Sequence, residues 1–168
     1  MRRAALLSFV FCLLAVAPAS AAVTTLRLDG IGPLTLGMSR TAAVGTGWLS
    51  DRSAGCELAS PRPIVYQLRG GKAPSGLRGS VEFSGGKLTN VSVTRGAKTA
   101  PGIRPNVSTP AGMVRAYRRA GFSAKATFEE TFQATFVTVQ KNGEQVVSGF
   151  ATGMRLSVLS RPFTSTCE

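Results

Sequence analysis

The stretch SVEFSGGKLTNVSVT, residues 80–94, limits the folds open to this chain more than any other. Val81 and Phe83 alternate with Glu82 and Ser84, the period-two pattern of a strand that buries one face. Gly85 and Gly86 can take the positive φ angles of a tight turn, and Leu88, Val91 and Val93 supply the returning strand. Asn142-Gly143 is a second hairpin signal, standing between ATFEETFQATFVTVQ and EQVVSGF. IVYQL at 64–68 and MRLSVLS at 154–160 read as further strands. Phe128, Phe132 and Phe136 are spaced by four, which a helix face and a strand face both allow. The β-branched Thr127, Thr131, Thr135, Val137 and Val139 between them favour a strand.

Two short helices are expected beside these strands. LTLGMSRTAAV, residues 34–44, runs from alternating residues into Gly37-Met38-Ser39, and Ser39 offers its side-chain oxygen to the free N–H groups of a helix start. Gly45 and Gly47 close that helix early. IRPNVSTPAGM, residues 103–113, follows the same plan, with Ser108 69 positions after Ser39, Met113 where Val44 stood, and Pro110 in the first turn. Met113, Val114 and Tyr117 then share one side of a helix ending near Gly121. The expected fold class is α+β. It consists of two repeated units, 22–98 and 99–168, each a short helix packed on an antiparallel β-meander.

An extended lead, a Gly-Met-Ser corner, a short helix and a meander resemble the small helix-plus-sheet module of the BamE (SmpA/OmlA) family. The β-lactamase inhibitory protein of streptomycetes carries two such modules in tandem. A tandem with Gly55-Cys56 after the first helix is also similar to small exported proteins of actinobacteria. The resemblance implies the helix-plus-sheet fold and a binding or assembly role. It carries over no contact residues, because no inhibitory motif matches position by position.

The beginning of the chain reads as an export signal over residues 1–21. Arg2 and Arg3 precede an apolar run from Ala4 to Ala17, and Ala19-Ser20-Ala21 forms a small-residue cleavage site. The run is shorter than the roughly 20 apolar residues of a membrane span. Cys12 lies inside it, away from any point where a lipoprotein cysteine would be acylated. The expected product is secreted. Two cysteines remain in it, Cys56 and Cys167, and an oxidising compartment favours their pairing. The bridge would close a loop of about 110 residues, for which lost chain entropy contributes about 4–5 kcal/mol.

The formal net charge is +12, and removing Arg2 and Arg3 leaves most of it. Such an excess favours polyanionic partners through long-range attraction. Arg115, Arg118 and Arg119 cluster on the second helix, near Lys98, Arg104 and Lys125 in sequence. They read either as a solvated helix face or as contacts to an anionic cell-wall or envelope polymer. Trp48, Tyr66 and Tyr117 read as core packing or as anchors for a protein partner. Phe128, Phe132 and Phe136 mark an interaction site if their face is uncovered.

Catalytic chemistry finds little support. The chain has no histidine, which removes the commonest general base and the usual triads, and two cysteines cannot build a metal cluster. SGGKLT has Gly-Lys without the glycine spacing of a phosphate loop. Asp51 and Glu57 flank Cys56, and Glu129-Glu130 are neighbours on a strand and so point apart. The expectation is a binding protein, not an enzyme, with no cofactor and no metal. Its partner is an anionic polymer or, alternatively, another exported protein gripped by a sheet face. A hydrolase using Asp51 or Glu57 is the third reading.

Overall fold

A computed structural model describes residues 23–163, so the expected leader at 1–21 and Cys167 lie outside the described residues. The chain opens with β1 (Thr24–Leu26), β2 (Gly30–Ile31) and β3 (Leu34–Thr35), and then forms helix α1 (Arg40–Gly45). Strands β4 (Ser50–Ala54), β5 (Ile64–Gln67), β6 (Arg78–Ser84), β7 (Lys87–Arg95) and β8 (Ala97–Thr99) follow. Helix α2 (Pro110–Arg119) precedes β9 (Ser123–Glu129), β10 (Ala134–Lys141), β11 (Glu144–Ala151) and β12 (Val158–Arg161). Both hairpin signals act as expected. Gly85 and Gly86 take φ of 56° and 75°, and Asn142 and Gly143 take 53° and 84°, the paired positive angles that match strand twist.

Ser39 accepts a hydrogen bond from the Ala42 amide and caps α1. The corner before it docks on the β6–β7 hairpin: Gly37 N–H donates to Leu88 O, Leu88 N–H to Met38 O, and Arg40 N–H to Gly86 O. The cap of α2 is Thr109, not Ser108, with Pro110 next in line. That one-residue shift explains two burials. Met113 and Ala43 each lie four residues past their cap and are buried, whereas Val44 is 42% exposed.

Strands β4-β5-β6-β7-β12-β11-β10-β9 form one antiparallel sheet in that order, and β3-β2-β1-β8 form a small second sheet. The seam of the large sheet is β7–β12, with Val93 opposite Leu159, Ser92 opposite Ser160 and Val91 opposite Arg161. The expected α+β fold of two repeated helix-on-meander units is therefore not what forms: the chain is mostly β, in sheets of eight and four strands, with two helices among the described residues. Two causes are visible. Helix α1 ends after six residues and buries only Ala43, so it cannot cover a sheet. The lead-in before it folds into β1 to β3, pairs with β8, and brings Leu26, Ile31 and Leu34 into the core in the helix's place.

The core lies on one face of the large sheet. Val81, Phe83, Val91, Val93 and Leu159 meet the small sheet, and Val137, Val139 and Val147 meet Met113 and Tyr117 of α2. Gly149 allows the helix to come close: a Cβ there would stand 2.8 Å from both Met113 Sδ and Leu156 Cδ2. Leu159, fully buried on the seam strand, joins the two halves of this core. Leu159→Ala is expected to lower unfolding free energy by about 2–5 kcal/mol in urea titration, the range for truncating a buried leucine.

Candidate functional site

The second face of the large sheet differs from the first. Because side chains alternate along each strand, the cross-strand register decides which residues share that face. Gln67 stands opposite Ser80, Ser80 opposite Ser92, Ser92 opposite Ser160, Ser160 opposite Ser148, and Ser148 opposite Thr138, which faces Lys125. Five consecutive strands thus place a hydroxyl in one row. At about 4.8 Å between strands, the row runs roughly 19 Å. Ser92 and Ser160 share a hydrogen bond of 2.6 Å across the seam, and Ser92 Oγ donates to Asn90 Oδ1 at 3.1 Å. The row is not open along its length: Ser160 is 0%, Ser148 4% and the neighbouring Asn90 1% exposed, whereas Ser80, Ser92 and Thr138 are part-buried.

An aromatic cluster flanks the row. Phe136 pairs with Phe150 across β10–β11, ring centroids 5.1 Å apart, and Phe132 packs edge-on to Phe136 at 5.7 Å. The run expected as one strand is in fact a hairpin, because Glu130–Gln133 turns the chain between β9 and β10, with Gln133 at φ 47°. The turn divides the three phenylalanines. Phe128 stands opposite Thr135, on the face that α2 packs against, and Phe136 stands opposite Thr127, on the hydroxyl-row face. Phe128, 56% exposed, therefore does not join Phe132, 37% exposed, and Phe136 in one stripe.

The arginines keep to the helix. Met113 and Tyr117 turn one side of α2 into the core, which leaves Arg115, Arg118 and Arg119 on its exposed side. Arg118 Nε donates to Ala124 O at 2.9 Å and ties the helix to β9. No carboxylate pairs with any of the three among the described residues. Trp48 is part-buried against the core, its ring so close to Gly32 that a Cβ there would stand 2.1 Å from Trp48 Cη2. It packs as a core residue, as does Tyr66, edge-on to Phe83 at 5.7 Å.

The carboxylates do not converge on a cleft. Asp51 is bound by Arg69 at 2.7 Å and Glu57 by Arg62 at 2.8 Å, both in exposed pairs. The Arg69 and Ser50 hydrogen bonds hold the Asp51 carboxyl below its ordinary value of 3.8, the opposite of what a general acid requires. Among the described residues no group of three or more His, Cys, Asp or Glu side chains could hold a metal. Cys56 is not a free thiol, and its expected partner Cys167 lies outside the described residues.

These features define a mostly-β, two-sheet protein with a basic helix on one side and a row of sheet hydroxyls on the other. No family model, no curated protein and no solved structure matches the chain.

The hydroxyl row is the feature sequence reasoning missed. Its signal was present locally, since Ser80, Ser92 and Ser160 alternate with buried Val81, Val93 and Leu159, but only the register aligns them. Two substitutions on α2 separate anchoring from solvation. Arg118→Ala, which loses a hydrogen bond to backbone, is expected to lower stability by about 0.5–1.5 kcal/mol in thermal unfolding. Arg115→Ala should stay within about 0.5 kcal/mol of wild type. A lowered carboxyl stabilises the fold above its unfolded value and is lost as pH falls through the folded value. Asp51→Asn should therefore leave a flatter stability profile below pH 3.8, measured by unfolding across acid pH.

Proposed function

We propose that this is a secreted, non-enzymatic binding protein whose α2 face contacts anionic polymer of the envelope or extracellular material. The observation that supports it is the set Arg115, Arg118 and Arg119, exposed together without an ion pair among the described residues. The ion pairs that do form lie elsewhere, at Arg27–Asp29, Arg62–Glu57 and Arg69–Asp51. A chain of +12 charge therefore spends its few carboxylates away from this helix. Contacts of this kind weaken with salt, because counterions and released ions compete for both partners.

The reading includes export by the leader and a Cys56–Cys167 bridge, which peptide mapping without reductant should recover as one linked pair. Binding to purified cell wall is expected to fall about 10- to 50-fold between 50 and 200 mM salt, the range for roughly three ionic contacts. Replacing all three arginines by alanine should remove most of that salt dependence. Retention unchanged by salt would overturn the reading.

A second reading, a partner or inhibitor of another exported protein, draws on the Phe132, Phe136 and Phe150 end of the sheet face. Phe132 is 37% exposed, and with Phe136 and Phe150 it supplies apolar area beside the part-buried Thr138. Here an exported protein should co-purify with wild type from culture supernatant. It should be lost with Phe132→Ala or Thr138→Arg, and kept when the α2 arginines are removed.

A further inference from the structure

The large sheet ends in two edge strands, β4 and β9, and the two edges differ. Strand β4 is blunted. Its register against β5 shifts between Ser50 and Ser53, and Asp51 in that break takes φ 46° with its carboxylate held by Arg69. A break of this kind interrupts the straight row of N–H and C=O groups that a further strand needs. Strand β9 pairs with β10 over all seven residues, Ser123–Glu129, with no shift and with neither proline nor glycine. Every residue from Lys125 to Glu129 is exposed.

The backbone of β9 has a readable direction. Ala124 O accepts from Arg118 Nε, which marks Ala124 as a residue whose backbone groups face away from β10. Backbone groups alternate along an antiparallel strand, so Ala126 and Phe128 also turn their N–H and C=O outward. Among the described residues no backbone hydrogen bond from outside the sheet reaches either of them. The side chains divide by the same alternation. Ala126 and Phe128 lie on the face that α2 packs against, while Lys125, opposite Thr138, and Thr127, opposite Phe136, lie with Glu129 on the hydroxyl-row face. Helix α2 seats Met113 over Gly149 of β11, inward of this edge, and Phe128 stays 56% exposed beside it.

We propose that β9 pairs with β9 of a second copy of this chain, antiparallel about a two-fold axis at Thr127. The edge is complementary to itself in that register. Ala126 and Phe128 of the partner subunit exchange both backbone hydrogen bonds, and the exposed phenylalanine ring lies over the small alanine. On the other face Lys125 meets Glu129 of the partner subunit at the close spacing of a non-hydrogen-bonded pair, and the axis repeats that contact. A slip of two residues keeps the backbone bonds but sets Lys125 against a threonine, Thr127 or Thr131, so charge selects the register. A slip of one turns outward groups against inward ones and forms no ladder. The contact is one strand wide, which makes the dimer a weak one. It leaves the α2 arginines on the solvent side, so it stands or falls apart from polymer binding.

Sedimentation equilibrium tests the pairing. Between about 5 and 500 μM, the range of a weak association, the wild-type mass is expected to rise toward twice the monomer value. Ala126→Pro removes an outward N–H that β10 does not use, and should leave only monomer. Lys125→Glu sets like charges against each other at both symmetric contacts and should weaken the dimer about 5- to 30-fold, and adding Glu129→Lys should restore it to within about threefold. In the wild type the Ala126 and Phe128 amides should gain protection from hydrogen exchange as concentration rises, while the Thr127 amide, already bonded to β10, does not change. That readout does not depend on the folding of any variant. A monomer mass at every concentration, a dimer that survives Ala126→Pro, a charge swap that fails to restore it, or Ala126 and Phe128 amides indifferent to concentration would each overturn the proposal. So would protection of those amides that requires added culture supernatant, which would give the edge to a strand of another protein.

Discussion

The antiparallel pairing of β7 with β12 is the contact on which the other features depend. Before it forms, β4–β7 and β9–β12 each end in a strand whose N–H and C=O groups face solvent, and such edges invite unwanted pairing. Joining them satisfies both rows and makes one eight-stranded sheet. The join places Leu159 next to Val93, so that the core under the small sheet continues into the core under α2. On the opposite face it places Ser160 against Ser92, and without that step the hydroxyl row would be two short pieces.

What the sequence reveals of this fold follows the distance between interacting residues. Gly85-Gly86 and Asn142-Gly143 encode their own φ angles, so the hairpins they close can be read within a dozen positions. The seam joins Val91 to Arg161 with no turn between them to set the register, and no local pattern reports it. The helix-plus-meander expectation failed on length. Gly45 and Gly47 end α1 so early that burial of the first sheet half passes to Leu26, Ile31 and Leu34, residues that read only as an extended lead. The phenylalanine run failed for a related reason. Glu130-Thr131-Phe132-Gln133 turns the chain without a glycine or proline to announce it, and a spacing of four cannot see a turn inside itself.

The candidate surfaces were legible to different degrees for the same physical reasons. Helical period alone separates Met113 and Tyr117 from Arg115, Arg118 and Arg119, so the basic face can be read from consecutive residues. It cannot show that Arg118 reaches Ala124 O across a tight turn, and so that one of the three is partly structural. Trp48 resolves into packing because its ring needs the bare backbone of Gly32, a position distant enough that composition gives no hint of it. The burial of Arg161, only 7% exposed, is the hardest to see. In sequence it is one arginine among many in a basic chain, and only the seam register turns it toward the core.

The placement of these surfaces also limits how they can act together. Helix α2 packs on the core face of the large sheet, so its arginines point away from that sheet, while the hydroxyl row and the Phe136–Phe150 pair lie on the other side. A sheet and a packed helix are separated by about 10 Å of core, as are two packed sheets. A flat polymer lying on the arginines therefore cannot also touch the hydroxyl row. The two sides share no residues and are held apart by rigid, close-packed Val137, Val139 and Met113, so substitutions on them have independent effects. A ligand on the α2 arginines and one at the Phe136–Phe150 side would therefore be kept apart by the core between them.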